Sequence, residues 1–170
     1  MTKIRYCVAT SLDGYIAGPE GQADWIVSDP SIDFAAVFAQ FDTFLIGRRT
    51  YDYIAKAQGP EVPGKVFVFS RSLRPQDHPK VTVLREVSAA TLEPVRAQAH
   101  KDIWLFGGGD LFRSFLAAGL VDTVEVTVSP VLLGGGLQLL PAPAFGTRLT
   151  LTGHTIYKSG VVSLQYAIVK

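Results

Sequence analysis

The sequence predicts an α/β fold built on a mixed sheet, parallel in its middle and antiparallel at one edge. Three observations carry this. Short apolar runs alternate with helix-like stretches as far as about residue 120, the pattern of strands joined by crossover helices. From residue 123 the alternation takes a period of two, with Val124, Val126 and Val128 on one face. The chain then ends in two apolar segments, 148–158 and 161–170, joined through Lys-Ser-Gly as an antiparallel hairpin. A chain of 170 residues, 48% hydrophobic and 18% charged, needs neither metal nor disulfide to fold. It has no linker, repeat or low-complexity tract, so one domain over 1–170 is expected.

Each element follows from a local signal. "KIRYCVAT" (3–10) reads as a strand, and "SLDGYIAGPEG" (11–21) as a glycine-punctuated loop. From Ile32, the residues Phe34, Val37, Phe38 and Phe41 recur at helical spacing. "DTFLIG" (42–47) is a buried strand by length and terminal glycine, and "RRTYDYIAKA" (48–57) a short helix with Thr50 as its cap. "QGPEVPG" (58–64) is a loop, "KVFVFS" (65–70) a strand, and "RSLRPQDHP" (71–79) a loop. "KVTVLREV" (80–87) is a strand, after which Ser88 opens a helix to about Ala99 that carries Pro94. "DIWLFG" (102–107) is a strand and "DLFRSFLAAG" (110–119) a helix. Its Leu111, Phe112, Phe115 and Leu116 share one face, and Gly119 stops it.

Composition excludes several functions. A net charge of +1 offers no electrostatic footprint for nucleic acid or an anionic membrane. The lone Cys7 lies in an apolar run and reads as a buried, inert thiol. His78, His100 and His154 lack ligand spacing, so no metal site is expected. No apolar run is long enough for a membrane span and no signal-peptide layout is present, which predicts a cytoplasmic protein.

The chemistry-bearing signal is Gly107, Gly108 and Gly109, between a strand and a helix start. Glycine costs about 0.5–1 kcal/mol relative to alanine in a regular element, so three together need a reason. One is a tight turn. The other is a cradle in which backbone N–H groups and a helix dipole meet a pyrophosphate. The pattern is not the dinucleotide fingerprint, because Phe112 stands where a third glycine belongs. "GPEVPGKV" (59–66) is no P-loop, since Val66 replaces the hydroxyl residue. A second triplet, Gly134–Gly136, has no helix after it and reads as a bend or bulge.

Local positive charge stands at two other strand ends: Arg48 and Arg49 in "IGRRTYD", and Arg71 between Ser70 and Ser72 in "FSRSL". Arginine with hydroxyls suits a phosphate monoester. A pyrophosphate with one additional phosphate is the signature of NADPH rather than NADH.

"SLDGYIAG", "FLIGRRTYD", "VFVFSRSL", "IWLFGGGDLF" and "VSPVLLGGG", in this order over nearly the whole chain, resemble the dihydrofolate reductase-like superfamily. More closely, the chain is similar to stand-alone relatives of the reductase domain of bacterial riboflavin biosynthesis, the RibD C-terminal domain. The resemblance implies a three-layer domain with an eight-stranded mixed sheet, NADPH as cofactor, and a pterin- or pyrimidine-like small molecule as substrate. It places Ala9 and Ile16 beside the nicotinamide, Gly47, Arg48, Arg49 and Thr50 with Ser70, Arg71 and Ser72 on the phosphates, and Gly107–Leu111 under the pyrophosphate. Within that last segment, Asp110 reads as a helix-start residue turned away from the ligand.

A reductase of this kind needs a proton donor, a carboxyl shielded so that its pKa rises. The resemblance places Asp33, at the start of the first helix, and Asp29, just before it, nearest the substrate. As an ordinary residue either would be an N-cap. Asp13 reads as a turn residue shaping the loop over the nicotinamide, Trp25 as a closing or a packing group, and Tyr51 and Tyr53 as packing groups. A homodimer is expected, because riboflavin-pathway members pair and the terminal strands are apolar enough to leave an open edge. The alternative function is an NADP(H)-binding module of the same fold without catalysis.

Overall fold

The computed structural model describes residues 2–56, 62–144 and 146–169. In chain order it contains β1 (Ile4–Ser11), β2 (Tyr15–Ala17), α1 (Phe34–Phe38), β3 (Phe41–Gly47), α2 (Arg48–Lys56), β4 (Lys65–Phe69), a 3-10 turn (Pro75–Asp77), β5 (Thr82–Leu84), α3 (Ala89–Gln98), β6 (Asp102–Gly107), α4 (Gly109–Ala117), β7 (Thr123–Ser129), β8 (Leu137–Gln138), β9 (Leu149–Ile156) and β10 (Val162–Ile168). Eight strands form one sheet in the order β5-β4-β3-β6-β1-β7-β10-β9, while β2 pairs with β8. Pairing is parallel from β5 through β7, and β10 runs antiparallel to both β7 and β9.

Strands β3 and β6 are near-continuous apolar runs because both their faces are covered. On one face Tyr6, Leu45, Phe67, Leu105 and Val126 meet Leu92 and Val95 of α3 and Leu111, Phe112 and Phe115 of α4. Tyr6 stacks flat on Phe112, with ring centroids 3.8 Å apart. Phe115 is fully buried, which alone contributes about 1.5–3 kcal/mol. On the other face Phe44, Ile46 and Trp104 meet Val37 and Phe38 of α1 and Tyr51 and Ile54 of α2. Helices on both faces make three layers. Ser88 caps α3 by accepting from Thr91 N at 3.1 Å, and Gly119, at φ +66, ends the α4 turn.

Three boundaries differ from the sequence reading. The first helix stops at Phe38, and Phe41 instead opens β3, buried against Phe44 and Trp104. Its helical spacing was coincidental, because a side chain buried by the sheet satisfies the same apolar pattern. Helix α2 follows Gly47 with no intervening loop, so Thr50 lies in its first turn and caps nothing. Strand β5 covers only Thr82–Leu84 of the expected 80–87, since it is an edge strand paired with β4 alone. Of the expected 58–64 loop, residues 58–61 lie outside those described.

The opposite edge, β9, is uncovered. Its Leu149, Leu151 and Ile156 are 42%, 50% and 73% exposed. No helix among the described residues is long and apolar enough to cross a membrane.

Candidate functional site

Strands β4, β3 and β6 are adjacent and parallel, so their carboxyl ends lie side by side. The register sets Gly47 opposite Phe69 and Ile46 opposite Gly107. The three segments singled out above, 47–50, 70–72 and 107–111, therefore meet at one end of the sheet. That is where open α/β sheets bind ligands.

The glycines of 107–109 have three different reasons. Gly107 has φ +110, a conformation that side-chain-bearing residues avoid, and its peptide with Gly108 is cis. Gly109 sits so close to β8 that a Cβ would run into the carbonyl of Gln138. Gly108 is under neither constraint. Its φ is −80, and a Cβ there would lie 3.5 Å from Thr50 Oγ1 and 3.7 Å from Ile16 Cδ1, ordinary contact distances. Thr50 and Ile16 thus flank Gly108 at contact distance at the N-terminus of α4, a helix with no side-chain cap on its first N–H groups. A Cβ on Gly47 would meet Gly107 O at 3.2 Å and Leu111 Cβ at 3.6 Å, so Gly47 lets α2 and α4 start against each other. Beneath Gly107 lies the phenol of Tyr6, buried and without a hydrogen-bond partner among the described residues. Helix N–H groups without a side-chain cap, beside a glycine that leaves the backbone bare, are the chemistry that fits a pyrophosphate.

The cations are held at different strengths. Arg48 pairs with Asp52 through Nε at 2.8 Å and reaches Ser72 Oγ at 3.5 Å. Arg49 is 84% exposed and, among the described residues, pairs only with the edge of Asp110, at 4.0 Å, while Asp110 pairs more closely with Arg113 at 3.2 Å. Exposed pairs of this kind are worth about 0–1 kcal/mol, so Arg49 is free to exchange partners. Arg71 is exposed, and its backbone carbonyl accepts from Arg85. Ser70 is buried, and its Oγ accepts from Ser72 N at 3.3 Å and Leu73 N at 3.0 Å. It shapes the loop, leaving Arg71 and Ser72 as the outward groups.

On the sheet face lined by Trp104 and Phe106, Ala9 follows Cys7 in β1 by two residues and points the same way. Burial pushes the Cys7 thiol up, consistent with an inert group. Trp25 donates to Gln22 O at 3.2 Å, within its own loop.

The two acids separate sharply. Asp29 is 5% exposed, but its carboxyl lies below the ordinary carboxylate range because Ser159 and Ser31 donate to it. Ser159 N is 3.2 Å from Oδ2 and Ser31 N 2.9 Å from Oδ1. The raised pKa expected of a proton donor is reversed here: burial alone would raise it, and three donors outweigh burial. Asp29 clasps its loop to the β9–β10 turn. Asp33 is exposed and caps α1, accepting from Ala36 N at 2.9 Å. Asp13 accepts from Ser11 Oγ at 2.6 Å, Leu133 N at 3.1 Å and Gly134 N at 2.7 Å, tying the first loop to the second glycine triplet.

The sequence reading missed Tyr6, which shows there only as one apolar strand residue, and Gln138, whose contact with Gly109 is a tertiary accident of position. Among the described residues no cluster of three metal-ligating side chains occurs.

Comparison with known proteins places this arrangement. Residues 2–163 match the family described as RibD C-terminal domain. The chain is 33% identical to YyaP, an uncharacterised protein of Bacillus subtilis (strain 168), over 94% of this chain and 91% of that one. A Shewanella sp. PV-4 crystal structure, provisionally assigned to riboflavin biosynthesis, superposes with a TM-score of 0.86 at 26% identity over the full length of both chains. Dihydrofolate reductase from Enterococcus faecalis, solved with NADP(H), superposes at 0.70 with 15% identity, covering 99% of this chain and 97% of that one. That last likeness is one of fold, and the fold is dihydrofolate reductase-like.

Proposed function

We propose that this chain, which belongs to the RibD C-terminal domain family, is an NADPH-dependent reductase of a pterin- or pyrimidine-like heterocycle. The observation that carries the reading is Gly108. It is a glycine that neither backbone nor packing requires, placed where a pyrophosphate would need the room. NADP(H) in the Enterococcus faecalis enzyme of the same fold supports the cofactor. Gly107, Gly108 and Gly109 with the first N–H groups of α4 would hold the pyrophosphate, and Gly47, Thr50 and Leu111 would wall it. Arg48, Arg49, Arg71 and Ser72 would meet the phosphates, including the one on the ribose, with Ser70 shaping their loop and Asp110 as the exchangeable partner of Arg49. Ala9 and Ile16 would flank the nicotinamide. When bound, NADPH supplies a hydride, and the protein orients the two rings and excludes water.

Proton delivery is assigned to Asp33 by the resemblance, which sets it nearest the substrate at the start of α1, whereas the Asp29 carboxyl is committed to Ser31 and Ser159. Asp33→Asn should lower turnover about 10²–10⁴-fold with NADPH affinity unchanged. Asp29→Asn should chiefly loosen the loop and lower stability. Residues 1–170 act as one domain in the cytoplasm, paired as a homodimer through the β9–β10 face. There Leu149, Leu151, Ile156, Leu164 and Tyr166 share a side with no Lys, Arg, Asp or Glu among them. A second copy buries such a neutral, self-complementary face without opposing charges. A mass twice that of the chain by light scattering checks it.

The deciding experiment is titration with NADPH and NADH followed by tryptophan fluorescence, then loss of NADPH absorbance across a panel of reducible pterins and pyrimidines. Tighter binding of NADPH and turnover of at least one heterocycle are expected. Equal affinity for both cofactors overturns the phosphate assignment. Tight binding with no turnover across the panel gives the function to a binding module, a reading favoured by the engagement of Asp29 with Ser31 and Ser159 and by the exposed, helix-capping place of Asp33.

A further inference from the structure

We propose that the Tyr51–His78 pair is a positioning element that sets how strongly the protein prefers NADPH over NADH. The proposal rests on the cofactor reading above. The groups assigned to the ribose phosphate come from two separate elements: Arg48 and Arg49 from the start of α2, and Arg71 and Ser72 from the loop between β4 and β5. One phosphate gripped from both sides requires the two segments to be held within about 0.5 Å of their productive separation.

The 70–79 loop is well tied to its own layer. Arg85 Nη1 donates to Ser70 O at 3.2 Å and to Arg71 O, and Leu73 is 2% exposed beneath the loop. These bonds fix its shape but not its distance from α2. Across that gap the Arg48 Nη1–Ser72 Oγ contact is long, 3.5 Å, between exposed groups. The Tyr51 phenol meets His78 Nδ1 at 2.9 Å, with the rings edge-on at 76° and centroids 5.4 Å apart. Both residues are half-buried, and Tyr51 packs in the same cluster as Phe44 and Trp104. The bond thus ties the end of the phosphate loop to a residue anchored in the core, one position beyond Thr50. His78 touches no assigned cofactor group. It acts through the loop.

The consequence is selective. NADH lacks the ribose phosphate, so loosening the loop costs it little, whereas NADPH loses the coordinated grip of both segments. The test compares dissociation constants of the whole protein for NADPH and NADH, with the thermal midpoint of each variant measured alongside. His78→Ala and Tyr51→Phe should each weaken NADPH about tenfold, the value of one well-placed hydrogen bond, and NADH by less than about twofold. The double variant should be no worse than either single one. His78→Asn, whose amide can still pair with the phenol, should restore most of the preference. Tyr51→Phe keeps the ring packing, so it decides the matter if His78→Ala fails to fold. Parallel loss of both cofactors, or an unchanged NADPH-to-NADH ratio in Tyr51→Phe, overturns the proposal. If the unmodified protein shows no preference for NADPH, the cofactor reading fails instead, and the two failures are distinct.

Discussion

Gly107–Gly109 and Gly134–Gly136 are identical in sequence, and each opens on a glycine with a positive φ, ends on one pressed against a backbone carbonyl, and has between them one under neither constraint; Gly136 differs from Gly109 in carrying a positive φ as well, +137. The difference lies in what surrounds the middle residue. Gly108 stands between Thr50 and Ile16 at the open N-terminus of α4, whereas Gly135 has nothing within 4 Å and no helix behind it. A glycine triplet by itself is therefore no anion site. In the proposed cofactor site, uncapped N–H groups and flanking walls are what set the first triplet apart. The triplets also meet the same small ribbon: Gly109 presses on Gln138 of β8, and Gly136 on Ala17 of β2.

The comparison breaks most visibly at the middle positions. Gly108→Val should lower NADPH affinity by about a hundredfold in a protein that still folds, since a β-branched side chain fills the pyrophosphate's space. Gly135→Val should leave affinity unchanged. Fluorescence titration of both, with circular dichroism to establish folding, checks the pair, and equal behaviour would reduce the first triplet to a turn.

The end positions should differ in degree, since Gly136 carries a φ of +137 as well as the close carbonyl, whereas Gly109 carries the close carbonyl alone. Gly109→Ala and Gly136→Ala each drive a Cβ into backbone that cannot rotate away, costing about 1–3 kcal/mol of stability in urea denaturation. Because both act on the β2–β8 ribbon, their combined cost should fall short of the sum. Gly134→Ala faces open space and pays only for its φ of +69, about 1–2 kcal/mol, with cofactor affinity intact.

The smallest effect is one of pH. Hydrogen bonds from Ser11 and from the Gly134 and Leu133 backbone hold Asp13 at a pKa of about 2, against an ordinary 3.8. A depressed folded-state pKa means the Asp13 contribution is complete above pH 3.8 and disappears as pH falls through about 2. Asp13→Asn should lower stability at neutral pH and flatten the decline across that window, as read by denaturation midpoints between pH 5 and pH 2.

Much of this was legible from residues alone, and the failures have identifiable causes. Strands β1, β3, β4 and β6, the face of α4 and the terminal hairpin follow from runs and periodicities that nothing else in the chain contradicts. Phe41 misled because a helix and a strand can each bury a residue four positions after Val37. Thr50 misled because hydroxyl residues near a helix start resemble caps until the first turn is located. Asp29 shows the limit for chemistry. Its type and place suited a proton donor, yet its state depends on Ser159, 130 residues away. The pairing of His78 with Tyr51 carried no signal, since 27 residues separate them and only Tyr51 falls within a motif, where it reads as a packing group.

The sequence by itself determined the order of elements, the split between a parallel body and an antiparallel edge, and the three strand ends where glycine, arginine and serine gather. These are properties of neighbours in the chain, set by local geometry and by which side chains water rejects. Only the tertiary structure decided which glycine faces Thr50 and Ile16, which arginines are engaged, and which carboxyl is clasped by serine donors. Each of those depends on distances between groups far apart in sequence. Hydrogen bonding and desolvation change steeply over an ångström, a scale that residue order does not encode.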